Sequence, residues 1–317
     1  MPIPEHVHVL VLDWNGHDHT LACLTSLSRL RFDGYRVVVI DNGSTVPVRP
    51  AIEAAHPGIE IVETGQNLGY AGGNNVGLRR SLDRGAEFIW VLNNDTIVDA
   101  GALEALVETA RRHPRAGAVG SRVLRADRPG TIWVAWGELT WLQSLIRLVG
   151  QDRPDGPLFR SERQVEWIPG CSILFRSAAL RDVGLFDEDF FAYHEDVEWA
   201  SRAREAGWEL WYAGISVVHH AIHGSSGGES KSYLGFRSYL SARNSVLFAR
   251  RHGRLWQRTL MAAAIVVTLP FQFVRRALRG ELAGLRMKLR GWRDGLAGRP
   301  IPLAELGLRP HRVPERR

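Results

Sequence analysis

Two apolar periodicities alternate along the first third of the chain. The runs "HVHVLVLDW", "YRVVVIDNGS", "IEIVETG" and "EFIWVLNND" are continuous or two-residue apolar patterns and predict strands. Between them, apolar residues recur every three or four positions. Leu21, Leu24, Leu27 and Leu30 line one face of "HTLACLTSLSRL", and "AIEAAHP", "NNVGLRRSLDRG" and "AGALEALVETARRHP" are the other predicted helices. Such alternation implies βαβ units, hence an α/β fold with a mostly parallel sheet flanked by helices. Ligands bind such sheets at the carboxyl ends of the strands. Three predicted strands end there on polar clusters: Asp13-Trp14-Asn15, Asp41-Asn42-Gly43-Ser44 and Asn93-Asn94-Asp95. Asn and Asp favour turns, so a turn explains any one of these. Three on one sheet edge predict a site.

From about residue 121 to 165 the pattern loosens around Trp133, Trp136, Trp141 and "GQDRPDGP", which reads as a long insertion or flap. Its tryptophans suit an acceptor, a membrane or plain core packing equally well. Order returns with "CSILFR" (strand), "EDVEWASRAREAG" (helix closed by Gly207) and "WELWYAGISVVHH" (strand). No internal repeat is present. An uncharged run from Thr259 to Val274, broken by Pro270, falls short of the ~20 residues of a spanning helix. The basic amphipathic segment "RRALRGELAGLRMKLRGWRDG" follows it. Together they predict a helix against an anionic membrane face, with a core helix and a solvated basic helix as the alternative. The expected organisation is a main domain over about 1–252, with halves at about 1–120 and 121–252, then a helical basic region over 253–317.

Composition narrows the classes. Hydrophobic residues make up 45% and charged residues 23%, as in a soluble globular protein. Cys23 and Cys171 are too few for a disulfide framework or a cysteine-based zinc site, which suits a reducing compartment. The amino terminus lacks the basic start and small-residue cleavage site of a signal peptide, so the expected location is the cytoplasm, peripheral on the inner face of the plasma membrane. The net charge of +6 is concentrated in the arginine-rich stretch after Arg237. That tail lacks the interleaved aromatics of a nucleic-acid binder, so no nucleic-acid partner is expected.

Three segments carry candidate chemistry. Asp95, a carboxylate at a strand end, can hold one Mg²⁺ or Mn²⁺ whose remaining ligands come from water and substrate phosphates. "TGQNLGYAGGNNVGL" is a Gly/Asn-rich loop before a helix, where backbone amides can meet an anion, although it does not fit G-x-G-x-x-G. In "DEDFFAYHEDVEW" the helix dipole accounts for several acids, but Glu195-Asp196 directly after an aromatic run suits a general base. One of the histidines His219, His220 and His223 at a strand end could complete the coordination of an ion at Asp95; a strand cap is the plainer reading. No nucleophile elbow or Cys-His pairing is evident.

In order along the chain, "VLDWNGHDHTLACLTSL", "VVVIDNGS", "NLGYAGGNNVGL", "WVLNNDTIV", "IPGCSILFR", "VGLFDEDFFAYHEDVEWASRAREAGWEL", "VVHH" and "YLSARNSVLFARRH" resemble family 2 glycosyltransferases, in particular the bacterial rhamnosyltransferase-like branch. The resemblance spans about residues 6–252. It implies a GT-A fold and transfer of a sugar, with inversion, from a nucleoside diphosphate to a glycan or lipid-linked acceptor at a membrane surface; dTDP-rhamnose is the donor it suggests. By the same resemblance Asp41 meets the donor base, and Asn67, Gly69 and Asn75 belong to the donor loop. Asp13, Trp14, Asn15, Asn93 and Asn94 lie on the donor side. Asp95 meets the metal, with His219 the better matching histidine and His220 the near alternative. Asp196 is the base with Glu195 beside it, and Gly170, Cys171, Trp133 and Trp136 face the acceptor. The sequence departs from the family's pattern at Asp13, Asn93 and Glu198. A nucleotidyltransferase of similar build and a non-catalytic binding module are the rival readings.

Overall fold

The structure, a computed structural model, describes residues 6–221, 231–278 and 282–308; His223 lies outside them. The first elements follow the predicted alternation: β1 (Val7–Asp13), α1 (His17–Leu27), β2 (Tyr35–Asp41), α2 (Arg49–Ala55), β3 (Glu60–Glu63), α3 (Gly69–Asp83) and β4 (Phe88–Asn93). β1 pairs in parallel with both β2 and β4, and β2 with β3. The register sets Asp13 opposite Asp41 and Leu12 opposite Asn93, so the three polar strand ends do share one edge. Along β1 the pleat sends Val9 and Val11 into one core layer with α1 residues Leu24 and Leu27. Leu10 goes to the opposite layer, with Leu78 of α3.

α3 begins at Gly69, so most of the glycine-rich stretch read as a loop is helix. A Cβ on Gly73 would stand 2.7 Å from the Leu12 side chain, and one on Gly77 2.9 Å from Ile40 and Leu10. These glycines let α3 lie close on the sheet; they do not bare backbone to a ligand.

After β5 (Thr96–Val98) and α4 (Ala102–Arg112), the chain forms β6 (Ala116–Arg125), β7 (Ile132–Val134), β8 (Trp136–Leu139), β9 (Ile146–Val149) and β10 (Arg163–Gln164). The region expected to be an irregular flap therefore carries several short strands among its loops, with β8 and β9 forming a separate hairpin. β11 (Ser172–Arg176) runs antiparallel between β4 and β6; then come α5 (Ser177–Val183), α6 (Glu195–Glu205) and β12 (Glu209–His220), which is parallel to β6. Among the described residues the main sheet has the order β10-β12-β6-β11-β4-β1-β2-β3, with β5 on β12 and β7 on β6.

The carboxyl-terminal helices are α7 (Lys231–His252), α8 (Leu255–Leu278) and α9 (Leu282–Ala297). α9 packs closely on α7: a Cβ on Gly291 or Gly295 would collide with the backbone of Tyr239 or Arg243. Leu306 and Leu308 then join Phe191, Tyr239 and Leu240 in one apolar cluster. The expected boundary at 252 therefore falls inside a packed layer. α8 continues through Pro270 for 24 residues, longer than the uncharged run in the sequence, and is long and apolar enough by length and composition to cross a membrane. Val266, Val267, Phe271, Phe273, Val274 and Leu278 on it are exposed.

Candidate active site

A cleft of about 420 Å³ opens at the shared strand edge. Of the residues singled out in the sequence, Trp14, Asn67, Gly69, Asn93, Asn94, Asp95, Trp133, Gly170, Cys171, Glu195, Asp196 and His220 line it.

One pole of the cleft is acidic. Asp95 follows β4 and is buried, and its Oδ1 lies 3.2 Å from His220 Nε2. Strand pairing makes that neighbour inevitable, because β12 runs antiparallel to β5 with His220 opposite Thr96. Trp133 stacks on the His220 ring at 4.4 Å and 9°, which fixes its plane. Asn93 Nδ2 is 3.4 Å from the same imidazole nitrogen, and Asn93 Oδ1 is buried without a hydrogen-bond partner. Period-2 alternation sends His219 to the other face, where it meets Asp99 at 3.2 Å. The geometry thus favours His220 over the sequence-preferred His219 as the partner of Asp95. A carboxylate oxygen and an imidazole nitrogen, with an unpartnered amide oxygen close by, suit Mn²⁺ or Mg²⁺ that takes further ligands from a substrate. The described residues contain no cluster of three or more His, Cys, Asp or Glu able to cage an ion unaided.

Asp13 holds the strand ends together. Its Oδ1 accepts from Thr20 Oγ1 (2.6 Å), Asn94 Nδ2 (3.0 Å) and Gly16 N (3.2 Å), and its Oδ2 accepts from Ser44 Oγ (3.0 Å). A carboxylate accepting this many bonds is well compensated for burial. It stands beneath the cleft. Asp41 likewise turns inward, accepting from Ser44 N and Val48 N at 2.9 and 3.4 Å, and so closes its own turn. Asn15 accepts from Thr45 N and Oγ1 at 2.8 and 2.6 Å. Asn75 ties α3 to the segment after α5, donating to Phe186 O and Glu188 Oε1, both at 2.9 Å. Trp136 sits in the core against Tyr212, with ring centroids 5.3 Å apart. None of Asp13, Asp41, Asn15, Asn75, Trp136 or His219 lines the cleft.

The other pole carries Asp196 at the start of α6. Its Oδ2 accepts from Gly170 N at 2.7 Å and its Oδ1 from Val197 N at 2.8 Å. Burial raises the carboxyl group to about 6, with these amides opposing. Burial, then the neighbouring Asp196 charge, pushes Glu195 well above the usual carboxylate range. Burial followed by the charges of Asp95 and Asp196 raises the Cys171 thiol well above its ordinary value. Tyr70, which donates to Gly170 O, is raised by burial and then by Glu195 and Asp196. Neither Cys171 nor Tyr70 is thus poised as an anionic nucleophile near neutral pH. Glu198 pairs with Arg202 (2.8 Å) and His252 (3.3 Å), which gives the residue two positions after Asp196 a structural role.

Several further residues line the cleft. Asn42 orders the donor loop by donating to Asn67 Oδ1 (3.2 Å) and Gly69 O (3.0 Å) while accepting from Leu68 N (3.0 Å). Trp167, His194 and Arg237 also face the cleft, and Arg237 lies 5.9 Å over the Tyr193 ring. Asn42 belongs to the polar cluster singled out at the end of β2; no role was drawn from the sequence for Arg237 or Trp167.

Comparison with known proteins places the chain in a family. The family model described as "Glycosyl transferase family 2" matches residues 9–190. N-acetylglucosaminyl-diphospho-decaprenol L-rhamnosyltransferase of Mycobacterium tuberculosis is 30% identical over 298 residues, covering 87% of this chain and 90% of its own length. The low-salt glycan biosynthesis hexosyltransferase Agl10 of Haloferax volcanii is 27% identical, covering 78% of this chain and 82% of its own length. Among solved structures, the mannosyltransferase PcManGT from Pyrobaculum calidifontis, in complex with GDP-Man and Mn²⁺, superposes with a TM-score of 0.58 at 16% identity. That match covers 93% of this chain and 88% of the other. With the family matched over more than half its length, and a relative aligned across nearly all of it, this GT-A-fold chain belongs to glycosyl transferase family 2.

Proposed function

We propose that this glycosyltransferase inverts the anomeric carbon of a nucleoside-diphosphate sugar, with rhamnose as the sugar, and transfers it to a hydroxyl of a lipid-linked glycan acceptor at the cytoplasmic membrane face. The observation that carries the reading is Asp196, a carboxylate titrating near 6 in the same cleft as the Asp95–His220 pair. A base with that value is ionised near neutral pH yet remains basic enough to accept a proton. The 170–171 segment links the two poles: Gly170 N donates to Asp196 Oδ2 at 2.7 Å, and Cys171 O accepts from Asn93 N at 3.0 Å.

A single displacement follows from these parts. The acceptor hydroxyl oxygen bonds to the anomeric carbon as its proton passes to Asp196, while the bond from that carbon to the diphosphate oxygen breaks. Asp95 and His220 would hold a divalent cation, which would supply charge neutralisation for the departing diphosphate. Arg237 adds a cation to the same cleft, and Trp14, Asn67 and Asn42 line the side expected to hold the nucleotide. Trp133, locked on His220, and Trp167 offer flat apolar faces to a sugar. The rhamnosyltransferase relative supports the sugar and the lipid-diphosphate acceptor by its own name. The exposed apolar residues of α8, with Arg275 and Arg276 at its end, support contact with an anionic bilayer. Membership of the family sets aside the nucleotidyltransferase and the non-catalytic module.

Thermal shift against a panel of nucleotide sugars, with and without Mn²⁺ or Mg²⁺, identifies the donor, because a ligand bound only by the folded state stabilises it by mass action. NMR of the product made from that donor then reads the anomeric configuration. Stabilisation by dTDP-rhamnose that requires the metal, followed by an inverted product, is the expected result. A retained configuration would overturn the single displacement.

A further inference from the structure

The loop that delivers the base is held in a conformation its own residues disfavour. Phe191 has φ 58° and ψ −63°, and Ala192 N donates to Phe190 O at 2.6 Å. Residues 190–192 therefore form a γ-turn of the strained hand. Tyr193 and His194 follow at φ 70° and 71°, and Asp196 is two residues further on. Non-glycine residues in this region persist only where the surroundings over-determine them.

Two clamps do so here. On the donor side, Ala71 N donates to Phe191 O at 3.0 Å. Gly69, itself at φ 75°, could carry no Cβ without meeting Phe191 at 2.5 Å. Behind the loop, fully buried Asn244 of α7 donates Nδ2 to Phe190 O (2.7 Å), Ala192 O (2.9 Å) and Tyr193 O (2.8 Å). An amide NH₂ has two protons, so the three carbonyls share them. Asn244 Oδ1 in turn accepts from Arg243 Nη1 at 2.9 Å, and the Arg243 guanidinium also donates to Asp189 O (2.8 Å) and Arg299 O (2.9 Å). The amide is thereby oriented, with its protons aimed at the turn.

We infer that Asn244 is a positioning residue: it holds the strained 190–193 turn so that Asp196 stands against the Gly170 amide, while the Phe191–Ala71 bond joins that turn to the donor loop. The inference rests on Asp196 being the base. Asn244 touches no substrate, so it acts on the chemical step through the loop and leaves the donor's own contacts in place.

Asn244→Ala and Asn244→Ser, each in the full-length chain, test it. Transfer rates are measured per donor-binding site, so that misfolded protein does not count. Misplacing a base by about 1 Å can cost about 100-fold, so Asn244→Ala is expected to lower kcat by about 10- to 100-fold with the donor KM within about twofold. Asn244→Ser keeps one hydroxyl donor and is expected to recover part of kcat; it carries the test alone should the alanine variant not fold. Wild-type kcat in either folded variant, or a loss confined to donor KM, overturns the inference. Asp196→Asn is assayed alongside. If it still turns over, the assignment of the base fails and this inference with it. If it is inactive while Asn244→Ala matches wild type, only the role of Asn244 fails.

Discussion

Replacing Asp196 with Asn is expected to make the protein more stable at neutral pH. Burial pushes this carboxyl group up from its ordinary value of 3.8 to about 6, because it penalises the charged form more than the Gly170 and Val197 amides favour it. A group whose pKa rises on folding favours the folded state below its unfolded pKa, and that stabilisation disappears as pH climbs through the folded value. Such a rise is worth about 3 kcal/mol at pH 7.5 and about half that at pH 5, where the folded carboxyl is already mostly protonated. These are upper values, since Glu195 beside it shares the desolvated site. Asparagine stays neutral and keeps an oxygen for the Gly170 amide, which now donates at 2.7 Å. Urea denaturation of wild type and variant at pH 7.5 and pH 5 measures the difference. The reasoning fails if the substitution is neutral or destabilising at pH 7.5, or if the gain is the same at both pH values.

The two histidines should separate cleanly. His220→Ala is expected to raise the Mn²⁺ concentration for half-maximal activity by about tenfold or more, and His219→Ala to change it less than about twofold. A metal titration in which His219→Ala gives the larger effect would refute the assignment drawn from the β5–β12 register. For the membrane, truncation before α8 is the wrong test, because α9 packs on α7 and would be lost too. Val267→Glu with Phe271→Glu alters only exposed positions. Flotation with anionic vesicles should recover wild type and leave the double variant behind at unchanged donor binding; equal partitioning would remove α8 as the anchor.

The alternating first part of the chain was legible because β1, β4 and the second half of β2 are largely buried and therefore read as apolar runs ending in Asn and Asp. β6 was not, although it is central in the sheet. Its sequence, "AGAVGSRVLR", is rich in small residues because Trp208 crowds Gly117 and Ile168 crowds Gly120. Packing demanded small side chains there and erased the strand signal. Of the site, Asp95 and Asp196 were legible as carboxylates ending a strand and starting a helix. Which histidine meets Asp95 was not, since the choice rests on the pairing of β12 with a three-residue strand. Trp133 and Trp136 looked alike; one caps the imidazole and the other fills the core. The turn at Phe191 was invisible, because its conformation depends on Asn244 in a distant helix.

The central claim is that Asp196 takes the acceptor proton. Its most direct test is the rate of sugar transfer by Asp196→Asn at saturating donor, metal and acceptor, with donor affinity measured on the same preparation. The expected outcome is donor binding within about twofold of wild type and turnover lower by about 100-fold or more, as for the loss of a general base. Turnover near the wild-type rate in a variant that binds donor normally would contradict the account.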